Sequence, residues 1–292
     1  MAVAATGARR YHVYRPPGVR FGERLPLMVM LHGCMQDSKS FATSTRMNAV
    51  AARERFLVLY PEQDRLANPQ GCWNWFDTRS GRAQAEATLV LNAIDQVCML
   101  YGADRERIAL AGLSAGASLA ALIAARHPER FRAVVMHSGI PPGTAHSGLT
   151  ALRAMHGRRA TAPLAAVPPS SGTQPLPPLL VIHGLADHVV APANGRAAAS
   201  AWAAAAGARE GSMRSVCRGK RYPMRITDFK HRAAMVAQLI EIEGLGHAWS
   251  GGAKGQRFGD SGGPGASRLA WAFALKQFKA FKARGALGSL AA

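Results

Sequence analysis

Lysine is scarce in this chain, supplying 7 of the 36 basic residues and leaving the rest to arginine. Acidic residues are few as well, 17 in all, so the formal charge is +19. The arginine and alanine richness fits a GC-rich coding sequence, and the basic residues are spread along the chain rather than gathered in one run. The densest cluster, Arg214 to Arg232, has no zinc-finger or RNA-recognition pattern. Specific nucleic-acid binding is therefore not expected, whereas weak, salt-sensitive adhesion to polyanions is. No stretch of about 18 uninterrupted apolar residues occurs, which excludes a transmembrane helix. Met1 to Arg10 lack an apolar core before the arginine pair, so no signal peptide is recognisable. There are only four cysteines, Cys34, Cys72, Cys98 and Cys217, and no Cys-x-x-Cys pair, which argues against structural zinc. Cys98 lies in an apolar helical stretch and is expected to be a core thiol.

What the chain has is ample core material, 48% hydrophobic residues over 292 positions. Short continuous apolar runs recur at Leu25 to Leu31, Phe56 to Tyr60, Ile108 to Ala111, Ala133 to Met136, Leu179 to Ile182 and Gln238 to Ile242. Runs apolar on both faces, separated by helical segments, are the pattern of a mostly parallel sheet covered by helices, an α/β fold. Helices are expected at about Gln84 to Tyr101, Ala115 to Arg126, Ala193 to Ala206 and Ser267 to Ala283. The stretch 139–178 is rich in Pro, Ser, Thr and Gly, with one possible helix near Gly148 to Met155. It reads as an insertion over the carboxyl edge of the sheet, either a lid or an inert linker. A single domain over residues 1–292 is expected.

The segment most telling of function is Gly112-Leu113-Ser114-Ala115-Gly116, set between an apolar run and a helical one. A Gly-x-Ser-x-Gly in that setting is a nucleophile elbow, in which side chains larger than hydrogen at the glycines would strike neighbouring backbone. The bland alternative is a glycine-rich turn with a capping serine. A serine nucleophile needs a base, and the base needs an acid, in the chain order Ser, Asp or Glu, His. Asp187, in His183-Gly184-Leu185-Ala186-Asp187-His188, follows a strand pattern and is the expected acid; Asp228 and Asp260 compete, and a turn aspartate is the structural alternative. His247, in Gly244-Leu245-Gly246-His247, follows the last strand pattern, lies after Asp187 and is flanked by glycine, which selects it among ten histidines. His32, His137 and His183 also end strand patterns but precede the acid, and are expected to orient loops.

An oxyanion hole needs two backbone N–H groups. Ala115, after the nucleophile, offers one, and Cys34, in the loop His32-Gly33-Cys34-Met35-Gln36 where Gly33 lets the chain turn, offers the other. Cys72 lies in a second loop, Gly71-Cys72-Trp73-Asn74-Trp75, and could bridge to Cys34, although sequence alone does not assign pairing. Trp73, Trp75 and Trp249 flank these loops, where indole rings would suit an acyl chain, a sugar or an aromatic acid; ordinary packing is the alternative. Trp202 and Trp271 fall in helical stretches and are expected in the core.

Five motifs then occur in order: His-Gly-Cys-Met-Gln at 32–36, Gly-Cys-Trp-Asn-Trp at 71–75, Gly-Leu-Ser-Ala-Gly at 112–116, His-Gly-Leu-Ala-Asp-His-Val-Val at 183–190 and Gly-His-Ala-Trp at 246–249. From about Tyr11 to Phe281 the chain resembles the polyhydroxybutyrate (PHB) depolymerase family of esterases. The resemblance implies an α/β-hydrolase fold, a Ser114–Asp187–His247 triad, oxyanion donors at Cys34 and Ala115, a Cys34–Cys72 disulfide and tryptophan-lined substrate sites. It implies no metal or organic cofactor. Members act on polyhydroxybutyrate and its oligomers, or as feruloyl or acetylxylan esterases, and many are secreted. The chain departs from them in showing no leader and no appended Ser/Thr-rich linker with a polymer-binding module. Short esters and soluble or amorphous polyester are thus the expected substrates, in a secreted or periplasmic setting by resemblance and a cytoplasmic one otherwise. A non-catalytic hydrolase-fold binding protein is the rival from another class.

Overall fold

The apolar runs form strands whose side chains alternate between two cores. In β2 (Leu25–Leu31), Leu27, Val29 and Leu31 enter one hydrophobic cluster and Met28 and Met30 the other. Every residue of β2 is buried, as a strand with helices on both faces requires. The computed structural model describes residues 9–158, 164 and 174–289, with 284–289 by backbone alone. In chain order its other strands are β1 (Tyr11–Tyr14), β3 (Leu57–Pro61), β4 (Ala103–Leu113), β5 (Ala133–His137), β6 (Leu179–Gly184), β7 (Arg209–Glu210), β8 (Arg214–Val216), β9 (Met224–His231), β10 (Ala234–Ile242), β11 (Trp249–Ser250) and β12 (Gly259–Asp260). The main sheet has the order β1-β3-β2-β4-β5-β6-β10-β9-β7, with β8 beside β9.

The centre, from β3 to β10, is parallel. Both flanks are antiparallel, β1 on β3 and β9 on β10. The sequence reading missed these flanks. Their strands are short or half-exposed, so they carry no continuous apolar run; β9, for instance, mixes Arg225, Lys230 and His231 with buried Met224 and Phe229.

Helices α3 (Arg82–Leu100), α4 (Ala115–Arg126), α5 (Gly148–Met155) and α6 (Ala193–Ala205) pack on one face. Helices α1 (Ser38–Thr45), α2 (Met47–Glu54) and α7 (Ala266–Ser289) pack on the other. Four of the expected helices appear within two residues at their first positions, and α5 at its expected bounds. The pair α1 and α2 was not expected. The α1 sequence SKSFATST is polar enough to read as a loop, and a capping box between Asp37 and Ser40 starts it. Arg46, at φ 55°, ends α1 and begins α2.

Helix α4 is buried all round except at its last residue, which its Ala-rich, uncharged sequence permits. Within the 139–178 insertion, the described portion is docked rather than free. Ala191 N–H donates to Met155 O at 2.7 Å, and Asn194 Nδ2 to Ala154 O at 2.9 Å. Most of the Pro-rich part of the expected lid, 159–163 and 165–173, lies outside the described residues.

Candidate active site

The carboxyl ends of β2, β4, β5, β6 and β10 gather the motif loops. At the end of β4 the chain turns into α4 through Ser114, at φ 55° and ψ −121°. This left-handed conformation in a non-glycine residue costs about 1–3 kcal/mol and persists where the surroundings over-determine it. Here the surroundings are backbone. A Cβ on Gly112 would lie 2.4 Å from the carbonyl of Gly116, and one on Gly116 would lie 2.2 Å from Leu31 O. Ser114 N–H donates to His137 O at 2.9 Å, which ties the elbow to β5. Ser118 N–H donates to Ser114 O at 3.0 Å, and Ser118 Oγ accepts from Ile140 N–H at 2.8 Å.

The loop after β2 packs directly on the elbow. A Cβ on Gly33 would meet Gln36 Oε1 at 3.2 Å and Ser114 Cβ at 3.6 Å. Close packing, rather than turning freedom, is what Gly33 provides; the left-handed residue of the loop is Met35, at φ 61°. Gly33 N–H is held by Gln36 Oε1 at 3.0 Å and Met35 N–H by Gln70 O at 2.8 Å. Among the described residues, the N–H groups of Cys34 and Ala115 have no protein acceptor.

A disulfide joins Cys34 to Cys72, with Cα atoms 4.2 Å apart, and fastens the β2 loop to the loop at 71–75. Beneath it lies a polar network that the sequence reading missed. Buried Glu86, on α3, accepts from Gln63 Nε2 at 2.6 Å, Asn74 N–H at 2.8 Å and Asn74 Nδ2 at 2.6 Å. A lone glutamate on a helix carries no motif, and only the register of α3 against both loops discloses its role. His32 completes this side. Its Nε2 accepts from Gln63 N–H at 3.0 Å, so Nδ1 carries the proton and donates to Gly33 O at 2.8 Å. Burial pushes the His32 pKa down, keeping the ring neutral.

The acid and base loops lie on the other side. His247 Nδ1–H donates to Asp187 Oδ2 at 2.8 Å. Asp187 Oδ1 accepts from Val189 N–H at 3.0 Å and Val190 N–H at 2.8 Å. His183 Nε2–H donates to Val190 O at 2.9 Å and leans toward Asp187 Oδ2 at 3.5 Å. Burial alone would raise the Asp187 pKa, but the hydrogen bonds from His183 and His247, with the Val190 N–H, hold it well below the usual carboxylate range. With Nδ1 engaged, His247 Nε2 is the nitrogen left to accept a proton. Ser114 Oγ and this nitrogen are not hydrogen-bonded in the structure; such bonds often tighten only around a reacting substrate. His137 lies between the elbow and the β10 side. Its Nε2 accepts from Ser250 N–H at 3.1 Å, and burial pushes its pKa down to about 3, so it is a neutral strut. Two glycines shape this side, Gly244 at φ 71° and Gly184, where a Cβ would lie 2.1 Å from Leu245 O.

The tryptophans require a correction. Trp73 and Trp249 are both 0% exposed. Trp73 Nε1 donates to His32 O at 3.0 Å, and Trp249 Nε1 to Ser267 Oγ at 3.0 Å while its ring stacks on His137. They wedge the loops from behind and have no surface for substrate. Trp75 is 7% exposed and packs edge-on to Phe76. The large apolar residues exposed in the motif loops are Met35, half-exposed, and Val189. Of the competing acids, Asp228 is engaged by Arg214 and Gln238, and Asp260 accepts from Gly262 N–H. Trp202 and Trp271 are buried on α6 and α7, and Cys98 is a buried thiol.

The sequence profile of the esterase PHB depolymerase family matches residues 9–215, most of the chain. The chain belongs to this family. Over 117 residues it is 33% identical to poly(3-hydroxyalkanoate) depolymerase C of Paucimonas lemoignei, covering 40% of this chain and 28% of that protein. Over 133 residues it is 27% identical to feruloyl esterase B of Neurospora crassa, covering 45% of this chain and 44% of that one. The chain thus spans less than half the length of these curated family relatives. Among solved structures, the acetyl xylan esterase from Aspergillus awamori superposes with a TM-score of 0.67 at 20% identity, over 81% of this chain and 88% of that one. That likeness, with the sheet order above, establishes the α/β-hydrolase fold.

Proposed function

We propose that the protein is a serine carboxylic-ester hydrolase working through an acyl-enzyme. Ser114 Oγ attacks the ester carbonyl while His247 Nε2 takes its proton. The Cys34 and Ala115 N–H groups receive the developing oxyanion. His247 then protonates the leaving alcohol and activates water for deacylation, and Asp187 holds the imidazole in its Nδ1–H tautomer throughout. The observation that carries this reading is the His247–Asp187 hydrogen bond, in a carboxylate otherwise saturated by donors, beside an elbow with two unsatisfied N–H groups. The family membership and its esterase relatives support the same reaction.

Short acyl esters and hydroxyalkanoate oligomers are the substrates this reading favours, since the site loops bury all three of their tryptophans and leave a small apolar margin at Met35 and Val189. Feruloyl or acetylxylan ester cleavage is the second reading, supported by the sequence similarity to feruloyl esterase B and by a fold shared with an acetyl xylan esterase. The Cys34–Cys72 disulfide supports an oxidising compartment, periplasmic or extracellular. No helix among the described residues is long and apolar enough to cross a membrane. Hydrolysis of p-nitrophenyl butyrate by the wild type, lost in Ser114→Ala, tests the mechanism; full activity in that variant would refute it. Parallel rates on a hydroxybutyrate trimer, methyl ferulate and acetylated xylan order the substrate classes.

A further inference from the structure

A cavity of about 320 Å³ carries a charge pattern that ester hydrolysis does not use. Arg46, Arg53, Arg221 and Arg268 line it together with Thr45 and Ser267, and no carboxylate does. The four arginines come from separate places in the chain: the α1–α2 junction, the last turn of α2, the segment before β9 and the first turn of α7. Elsewhere the arginines of this basic surface are commonly paired, as in Arg55–Glu23 at 2.9 Å and Arg214–Asp228 at 3.0 Å. Here Arg53 meets only its chain neighbour Glu54, at 2.7 Å, on the rim. Arg221 is fixed in place by the carbonyl oxygens of Ser261 and Gly263. Arg268 folds over Gly265, its Nε 3.1 Å from where a Cβ would stand. Among the described residues neither Arg46 nor Arg268 has a carboxylate within 4 Å.

One of these positions is unfavourable on its own terms. Arg268 lies in the first turn of α7, where the helix dipole disfavours a cation, whereas Arg46, closing α1 and opening α2, stands between opposed dipole ends. Like charges sharing one concavity repel, and its low-dielectric walls focus the positive potential. A multivalent anion removes both penalties at once through charge-assisted hydrogen bonds. The lining hydroxyls already donate elsewhere, Thr45 Oγ1 to Phe41 O at 2.8 Å and Ser267 Oγ to Thr45 O at 2.6 Å, so recognition falls to the guanidinium groups. We propose that this cavity is a binding site for a compact oxyanion, phosphate or sulfate, free or as a monoester, held by Arg46, Arg53, Arg221 and Arg268. Its wall is shared with the catalytic side: Ser267 Oγ also accepts from Trp249 Nε1, and Ser250, next along, donates to His137. Occupancy therefore stabilises the fold around the His247 loop.

The test is thermal unfolding and calorimetric titration of the full chain with sodium phosphate, against sodium chloride at matched ionic strength. Wild type is compared with Arg46→Gln/Arg268→Gln and with a control, Arg209→Gln/Arg232→Gln, on the basic sheet edge. The wild type and the control should bind phosphate and melt higher with it. The cavity variant should bind at least about tenfold more weakly, from the loss of two charge-assisted contacts, and should melt no lower than wild type in chloride alone, because repulsion has been relieved. Glucose 6-phosphate repeats the titration: binding of both ligands supports an open site that takes monoesters, and binding of inorganic phosphate alone supports a site for the free ion. No phosphate response in the wild type, an equal response in all three proteins, or loss of response in the sheet-edge control alone overturns the assignment.

Discussion

The two sides of the candidate site are held by different physics. The nucleophile side is fixed by backbone crowding. Ser114 keeps its left-handed conformation because Gly112, Gly116 and Leu31 leave the chain no other path. The acid–base side is fixed by side-chain hydrogen bonds, with Asp187 collecting donors from His247, Val189 and Val190 while His137 braces Ser250. The difference teaches where each side is fragile. A steric scaffold fails by misfolding when an atom is added. A hydrogen-bonded one keeps its shape and loses chemistry when a single donor or acceptor is changed.

The largest expected effect tests the hydrogen-bonded side. Asp187→Asn preserves volume but favours the wrong His247 tautomer, and kcat for a p-nitrophenyl ester should fall about 10⁴-fold, with the far-UV circular dichroism of wild type. A strong loss of soluble folded protein instead would erase the distinction between the two sides. The steric side is tested by Gly116→Ala. With backbone 2.2 Å from the new Cβ, nothing flexible can give way, and destabilisation above about 3 kcal/mol is expected in urea titrations. Near wild-type stability would show that the elbow is not held by crowding.

Between these extremes stand the disulfide and the neutral histidines. Cys34→Ser/Cys72→Ser should cost about 2–5 kcal/mol of stability and reduce kcat by loosening the Cys34 N–H. A variant that keeps full kcat would remove the disulfide from the oxyanion side. His32 and His137 are both held below their ordinary pKa by burial, so the unfolded chain binds more protons than the native one as pH falls below 6.5. Stability from these residues is full above pH 6.5 and declines as pH drops, by about 3 kcal/mol for His137 by pH 4.5. Denaturant midpoints at stepped pH measure this, and replacing His137 by Gln should flatten the slope. The smallest effect is expected from Glu86→Gln. It turns an acceptor of three hydrogen bonds into a mixed group, costing about 1–3 kcal/mol of stability in denaturant titrations.

The same contrast explains what the sequence disclosed. Backbone crowding leaves a signature, because only glycine fits: Gly112 and Gly116 marked the elbow, while the parallel core strands were legible from their continuous apolar runs. The meeting of Asp187 with His247 was legible because chain order and strand ends restrict where a candidate acid and base can stand. Hydrogen-bonded supports leave almost no signature. Glu86 is a single polar letter whose partners, Asn74 and Gln63, lie 12 and 23 residues away. Trp73 and Trp249 misled for a related reason. An aromatic residue beside a site loop reads alike whether it faces substrate or wedges the loop from behind, and only the Nε1 partners decide. The antiparallel flanks and α1–α2 escaped because polar, half-exposed segments lack the period that marks a buried strand or helix.

The central claim is that Ser114 is a nucleophile activated by the His247–Asp187 pair. Intact-mass spectrometry after incubation with a fluorophosphonate measures it most directly. The account predicts one adduct per wild-type chain, mapping to the peptide that contains Ser114, a markedly slower reaction in Asp187→Asn, and none in Ser114→Ala. An unlabelled wild type that is folded, or equal labelling of Ser114→Ala, would contradict it.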